Sequence, residues 1–223
     1  SEHIEDLELL VDIVRRNWQA NVHVVVSLAT RRFLQQVQKL NVDDVVVSDT
    51  NNGDPGLDNE SQVRLRKTLR TVDTLRKACA CAVRADAPWT IHLQAGDYTL
   101  SWAGLRSIGE AMQRHGKVFA ARGMGFGYYT HETPVGHFDK SFFVFNNEFA
   151  RDRQLWSFDL IDLLPHKVSV QGYLALWGLG RVGVRRLWHY SHPKEALYWD
   201  GQSVGTPELN SSNPMYFDPK YSF

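Results

Sequence analysis

The sequence predicts an α/β domain in which a largely parallel central sheet is covered by helices on both faces, with an irregular C-terminal extension. Three observations lead there. Helix-like and strand-like segments alternate four times up to residue 122; the helical segments are amphipathic and the strand segments are short and apolar; and from Gly123 onward the alternation gives way to glycine, proline and aromatic residues. At 223 residues the chain can support one sizeable core, and we expect a single domain over 1–223.

Residues 4–18, IEDLELLVDIVRRNW, carry Ile4, Leu7, Val11, Val14 and Trp18 at spacings of three and four, with acids at the start and Arg15 and Arg16 at the end, as the helix dipole prefers. VHVVVSL follows as a β-branched strand, RRFLQQVQKL as a helix with Phe33, Leu34, Val37 and Leu40 on one side, and DDVVVSDT as a second strand. The turn-rich loop SDTNNGDPGLDNES leads to a cap at Asn59 or Ser61. From there a long helix runs to about Arg84, with Leu65, Leu69, Val72, Leu75, Cys79 and Val83 as its inner stripe. PWTIHLQAGDYTLS holds the third strand. SWAGLRSIGEAMQRHG is a helix capped by Ser101 and stopped at Gly116, and KVFAA is the fourth strand.

The 25 basic and 25 acidic residues cancel, so overall charge offers nothing to nucleic acid or an anionic membrane. No run approaches the roughly 20 apolar residues of a membrane span. No basic-then-apolar leader opens the chain, which is expected to be soluble and cytoplasmic. Cys79 and Cys81, two apart on a helix, cannot bridge each other, in keeping with a reducing compartment. Two cysteines are too few for a structural zinc cluster, and no Gly-x-Ser-x-Gly elbow is present.

Ligands of parallel α/β sheets bind beyond the carboxyl ends of the strands, which draws attention to the polar residues there. Asp49, Thr50 and Asn51 follow the second strand; an acid at that place can accept from a ribose or a base, and the alternative is a turn-forming Asx motif. Asp97 follows the third strand, where a carboxylate can join a divalent ion to a diphosphate or simply close a turn. His92 and Gln94 form a polar row leading toward it. GMGFG lacks the strand-loop-helix setting of a phosphate loop and reads as a flap. Asp139 and Glu148 flank the aromatic run of HFDKSFFVFNNEFARD. Either is a general base with apolar neighbours, or the run is a buried strand between surface acids. His189 and His192 in LWHYSHPKE are donors for a metal or a phosphate, or a loop pair.

Taken in order, the strand ending in SDTNNG, the long helix entering APWTIHLQAGDYTL, WAGLRSIGEAM, KVFAARG and GHFDKSFFVFNNEFA resemble the nucleotide-sugar glycosyltransferases of the GT-A fold, a Rossmann-like architecture. The resemblance covers residues 1–150 as an order of elements. It implies a nucleotide-binding half over 1–122 and an acceptor-side half with the tail over 123–223. Asp49, with Thr50 and Asn51, would contact the nucleoside; Asp97, His189 and His192 would hold Mn²⁺ or Mg²⁺; Arg122 and Lys194 would face the diphosphate; Asp139 or Glu148 would face the acceptor. The partners so implied are a nucleoside-diphosphate sugar and a hydroxyl-bearing acceptor. Two departures from the family stand out: Ala95 occupies the place of the first acid of the Asp-x-Asp motif, and no strand precedes the helix at 4–18.

The chemistry implied is glycosyl transfer, in which charge developing on the leaving diphosphate needs a cation or fixed donors, and a carboxylate can take the acceptor's proton. Ala95 also admits a non-catalytic nucleotide- or carbohydrate-binding domain of the same fold. A metal-dependent hydrolase built on His92, Asp97, His189 and His192 is a third reading.

Overall fold

The structure is a computed structural model and describes residues 4–18, 21–48, 60–95, 102–123, 138–158, 177–178 and 180–190. Helix α1 (Ile4–Asn17) serves two parts of the interior. Leu10, Val14 and Trp18 pack with α4 (Trp102–Arg114), while Val11 turns toward the first strand, β1 (Val25–Leu28). Strand β1 pairs in parallel with β2 (Asp44–Val47), from Val25 opposite Asp44 to Leu28 opposite Val47.

Between them the predicted ten-residue helix is shorter than its pattern. A 3₁₀ turn at Arg31–Phe33, begun by Thr30, runs into the single turn of α2 (Leu34–Val37). Lys39 and Leu40 then donate to the carbonyls of Gln36 and Val37, the tighter i→i+3 pattern that ends a helix. Val37, fully buried, is the anchor of this crossover.

Helix α3 (Glu60–Ala82) buries Val72, Leu75 and Cys79 along the predicted stripe, with Val83 just beyond its end. It lies against β1 and β2 and reaches β3 (Trp89–Leu93). Helix α4 stops where the sequence predicts. Gly116 takes a left-handed φ of 63°, Lys117 N–H donates to the Met112 carbonyl at 2.7 Å, and Gly116 N–H donates to the Gln113 carbonyl at 3.2 Å, which together make a Schellman ending.

The second sheet departs from the predicted parallel arrangement. Its order is β3-β5-β4-β6, formed by β3, β4 (Phe119–Gly123), β5 (Phe138–Asn146) and β6 (Leu187–Tyr190). β5 runs antiparallel to both β3 and β4, and only β4 with β6 is a parallel pair. The central sheet is therefore mixed, and the parallel β1-β2 pair forms a separate two-stranded sheet.

The composition of β5 explains its central place. Phe142 and Val144 pack on one side with α1 and α4, whereas Phe143 and Phe145 pack on the other with α3, so both faces of the strand need cover. Neighbours on both edges complete its burial. On the α3 side an aromatic array forms. Phe119 and Phe143 stack at 5.4 Å, Phe143 and Trp156 at 5.8 Å, and Trp156 and Trp177 at 4.6 Å. Burying each such side chain contributes about 1.5–3 kcal/mol, so this array is a principal source of stability. Regular structure thus continues past Gly123, through β5, the short helix α5 (Asn147–Asp152) and β6.

Candidate functional site: the strand ends

Strand register brings several of the sequence candidates to one end of the mixed sheet. Leu93, at the carboxyl end of β3, pairs with Phe142; Gly123, at the carboxyl end of β4, pairs with Phe138; and Tyr190, at the carboxyl end of β6, pairs with Arg122. The carboxyl ends of β3, β4 and β6 therefore meet the amino end of β5. Arg122, Asp139 and His189 belong to this end by backbone position.

One row crosses all four strands. His92 pairs with Phe143, Phe143 with Ala121, and Ala121 with His189. The His92 ring stacks on Phe143 at 4.5 Å, so an aromatic ring covers this part of the predicted polar row. Next to that row the β4-β5 register slips. Ala121 opposes Phe143 but Gly123 opposes Phe138, which leaves residues 139–142 of β5 opposite Arg122 alone. Bulges of this kind bend a strand and redirect its side chains, and they recur beside functional sites.

Asp139 and Glu148 stand at opposite ends of β5. Asp139 is near the start of β5, while Glu148 lies beyond its end, exposed in the first turn of α5. At about 3.3 Å per strand residue the two are roughly 20 Å apart. An acid in the first turn of a helix is favoured by the helix dipole, and this describes Glu148.

The end of β2 is held by a group that sequence reasoning overlooked. Ser48, buried immediately after β2, donates its hydroxyl to Asp73 of α3 at 2.7 Å. Asp73 is only 2% exposed and also accepts from Arg76 at 2.8 Å, with the Lys77 ammonium 3.2 Å away. Burial by itself would raise the Asp73 carboxyl. The hydrogen bonds from Arg76, Ser48 and Lys77 outweigh it and hold the carboxyl below its ordinary value. Arg76 reaches further, donating from Nη1 to the Phe158 carbonyl at 3.0 Å. A signal was present in the sequence: a single acid adjoins the apolar stripe of a helix whose other charges beyond Glu60 are all basic.

At the opposite end of β2, Asp44 lies 2.8 Å from His23 Nε2. That hydrogen bond is the main reason its carboxyl lies below the ordinary value. The Cys81 thiol is pushed up by burial and by the Asp44 charge, and Cys79 is pushed up strongly by burial alone. Neither is an activated nucleophile.

Asp49, Thr50, Asn51, Asp97, His192 and Lys194 lie outside the described residues, as do the GMGFG stretch past Gly123 and the tail from residue 191. Among the described residues no three His, Cys, Asp or Glu side chains come together in a way that could hold a metal ion. No helix among them is long and apolar enough to cross a membrane.

Neither a protein-family model nor a curated sequence matches the chain. Among solved structures it is similar to mouse xyloside xylosyltransferase 1 in its apo form, with a TM-score of 0.42 and 14% identity, over 82% of this chain and 77% of that one. At that distance the likeness does not establish a family.

Proposed function

We propose that the chain is a glycosyltransferase that moves a sugar from a nucleoside-diphosphate sugar to a hydroxyl acceptor in glycan or polysaccharide synthesis. The sequence resemblance motivates the reading. In the structure its support is one observation: three strands end, and a fourth begins, at the same end of the mixed sheet, with Arg122, Asp139 and His189 among their residues.

On this reading Asp49, Thr50 and Asn51 hold the nucleoside, and Arg122 and Lys194 receive the negative charge of the leaving diphosphate. Asp97, His189 and His192 offer the oxygen and nitrogen donors that Mn²⁺ accepts, and a bound ion would supply further charge to that group. Asp139, rather than the distant Glu148, accepts the acceptor's proton.

The deciding experiment is a thermal-shift screen of nucleoside diphosphates and their sugars with and without Mn²⁺. A nucleotide-sugar should raise the melting temperature, and Asp97→Ala should remove the part of the shift that depends on Mn²⁺. No stabilisation by any nucleotide would sink the proposal. Ala95, where the family motif has an acid, favours a second reading as a binding domain without activity. Product analysis with candidate acceptors separates the two, and release of free sugar as the sole product would indicate hydrolysis.

A further inference from the structure

We infer that Arg70 of α3 is an anion-binding residue, which takes a phosphate group of the ligand at the carboxyl end of the β1-β2 pair. The inference rests on the functional reading above and adds to it a cation that no sequence motif marks.

Two contacts fix how α3 lies along β2. The Cys81 thiol bonds to Asp44 at the start of the strand, and Asp73 accepts from Ser48 just past its end. The helix therefore runs antiparallel to β2. At about 1.5 Å per residue, Arg70 stands one turn beyond Asp73, past the carboxyl end of the strand. Ligands of parallel strands bind at that end.

Arg70 arrives there with its charge unmatched. Its side chain is half-buried and its Nε is shut off from water, yet no described group accepts from that nitrogen. The cations further along the helix are already committed: Arg76 gives Nη2 to Asp73 and Nη1 to the Phe158 carbonyl, and the Lys77 ammonium stands 3.2 Å from Asp73. From Glu60 to Lys77 the helix carries six basic residues against two acids, so Asp73 has no charge to spare for Arg70. A buried guanidinium N–H without an acceptor is unfavourable, and native structures rarely keep one unless something else fills the place. An anion satisfies the donor and offsets the excess charge together. The fork of guanidinium N–H groups suits the paired oxygens of a phosphate.

The test measures dissociation constants of the full chain for sodium pyrophosphate, for UDP, GDP, ADP and CDP with MnCl₂, and for the four parent nucleosides. Arg70→Met should weaken pyrophosphate, and the nucleotide that binds wild type, by about tenfold or more. It should leave any nucleoside affinity unchanged and keep the melting temperature at or above wild type, because Nε has no partner in the fold. Arg70→Lys, which keeps the charge and loses the fork, should recover part of the lost affinity. A methionine variant that binds pyrophosphate and nucleotide as wild type does overturns the inference while the functional reading stands. A variant that loses nucleoside and nucleotide alike, with a lower melting temperature, assigns Arg70 a structural role and overturns it too. If wild type binds pyrophosphate through Arg70 but no nucleotide, the functional reading falls and the anion site remains; if it binds neither, both fall.

Discussion

Thr90 of β3 donates its hydroxyl to Oδ1 of Asn147, the first residue of α5, at 2.6 Å, across 57 residues of chain. Asn147 is fully buried, its Nδ2 donates to the Ala87 carbonyl at 2.9 Å, and its backbone N–H donates to Pro88. The amide therefore joins the entry of β3 to the exit of β5. Asn147→Ala leaves two part-buried partners, the Thr90 hydroxyl and the Ala87 carbonyl, without their hydrogen bonds, at about 0.5–1.5 kcal/mol each. We expect a lower urea midpoint with an unchanged m-value, and a midpoint equal to wild type would refute this account.

Arg15 binds α1 to the neighbourhood of the first sheet by a fork that lysine cannot reproduce. Its Nε donates to the Asn41 carbonyl at 2.8 Å, Nη1 to the Val22 carbonyl at 2.7 Å and Nη2 to Asp43 at 2.7 Å. Arg15→Lys should lose most of the stability that Arg15→Met loses, about 1–3 kcal/mol. Thermal unfolding of the two variants checks this; a lysine variant as stable as wild type would mean that the charge alone suffices.

Three aspartates give the chain a defined acid limit. Burial would raise Asp43, but the Val24 N–H and the Arg15 guanidinium outweigh it; with Asp44 and Asp73 its carboxyl lies below the ordinary value. A depressed carboxyl stabilises the fold above its unfolded value, about pH 4, and that contribution is lost as pH falls through the lower folded value. Stability should therefore be level down to about pH 5 and drop below about pH 4. Asp73→Asn should cost about 1–3 kcal/mol at pH 7, and its deficit against wild type should narrow as the pH falls below 4. A deficit that stays constant over that range would contradict the linkage.

Gly116 carries the left-handed turn that ends α4, with nothing within 4 Å of a Cβ placed there. Space is therefore not the constraint; conformation is. Gly116→Ala should destabilise by about 1 kcal/mol, read as a small drop in melting temperature, and Gly116→Asn should do less harm because asparagine tolerates that conformation.

Local features of the fold were legible in the sequence because their causes are local. The inner stripe of α3 follows from a spacing of three and four, and the stop of α4 follows from a glycine. The partners of β5 were not legible. Phe142, Phe143, Val144 and Phe145 state that both faces are buried, yet nothing in that run specifies whether β3 or β4 lies beside it, or in which direction. The parallel expectation failed at this point. β6 was hidden by its length, since four residues carry too little periodicity to read. For the site, the register sets Arg122, Asp139 and His189 at one end of the mixed sheet by backbone position and leaves Glu148 past the other end of β5, a difference the sequence does not show because proximity to an aromatic strand does not say at which end an acid stands. Asp73 could have been found, as the one charge in its helix that the apolar stripe made conspicuous.

The order β3-β5-β4-β6 also sets a timetable for synthesis on the ribosome. The parallel β1-β2 pair closes through the one local crossover that contains α2 and is available early. β3 and β4 emerge with no bond between them, each with an edge that only β5 will fill, so both edges stay open until Asn146 has left the exit tunnel. A nascent chain paused before Phe138 would present two unpaired apolar strands to other chains, the condition under which a chaperone is needed.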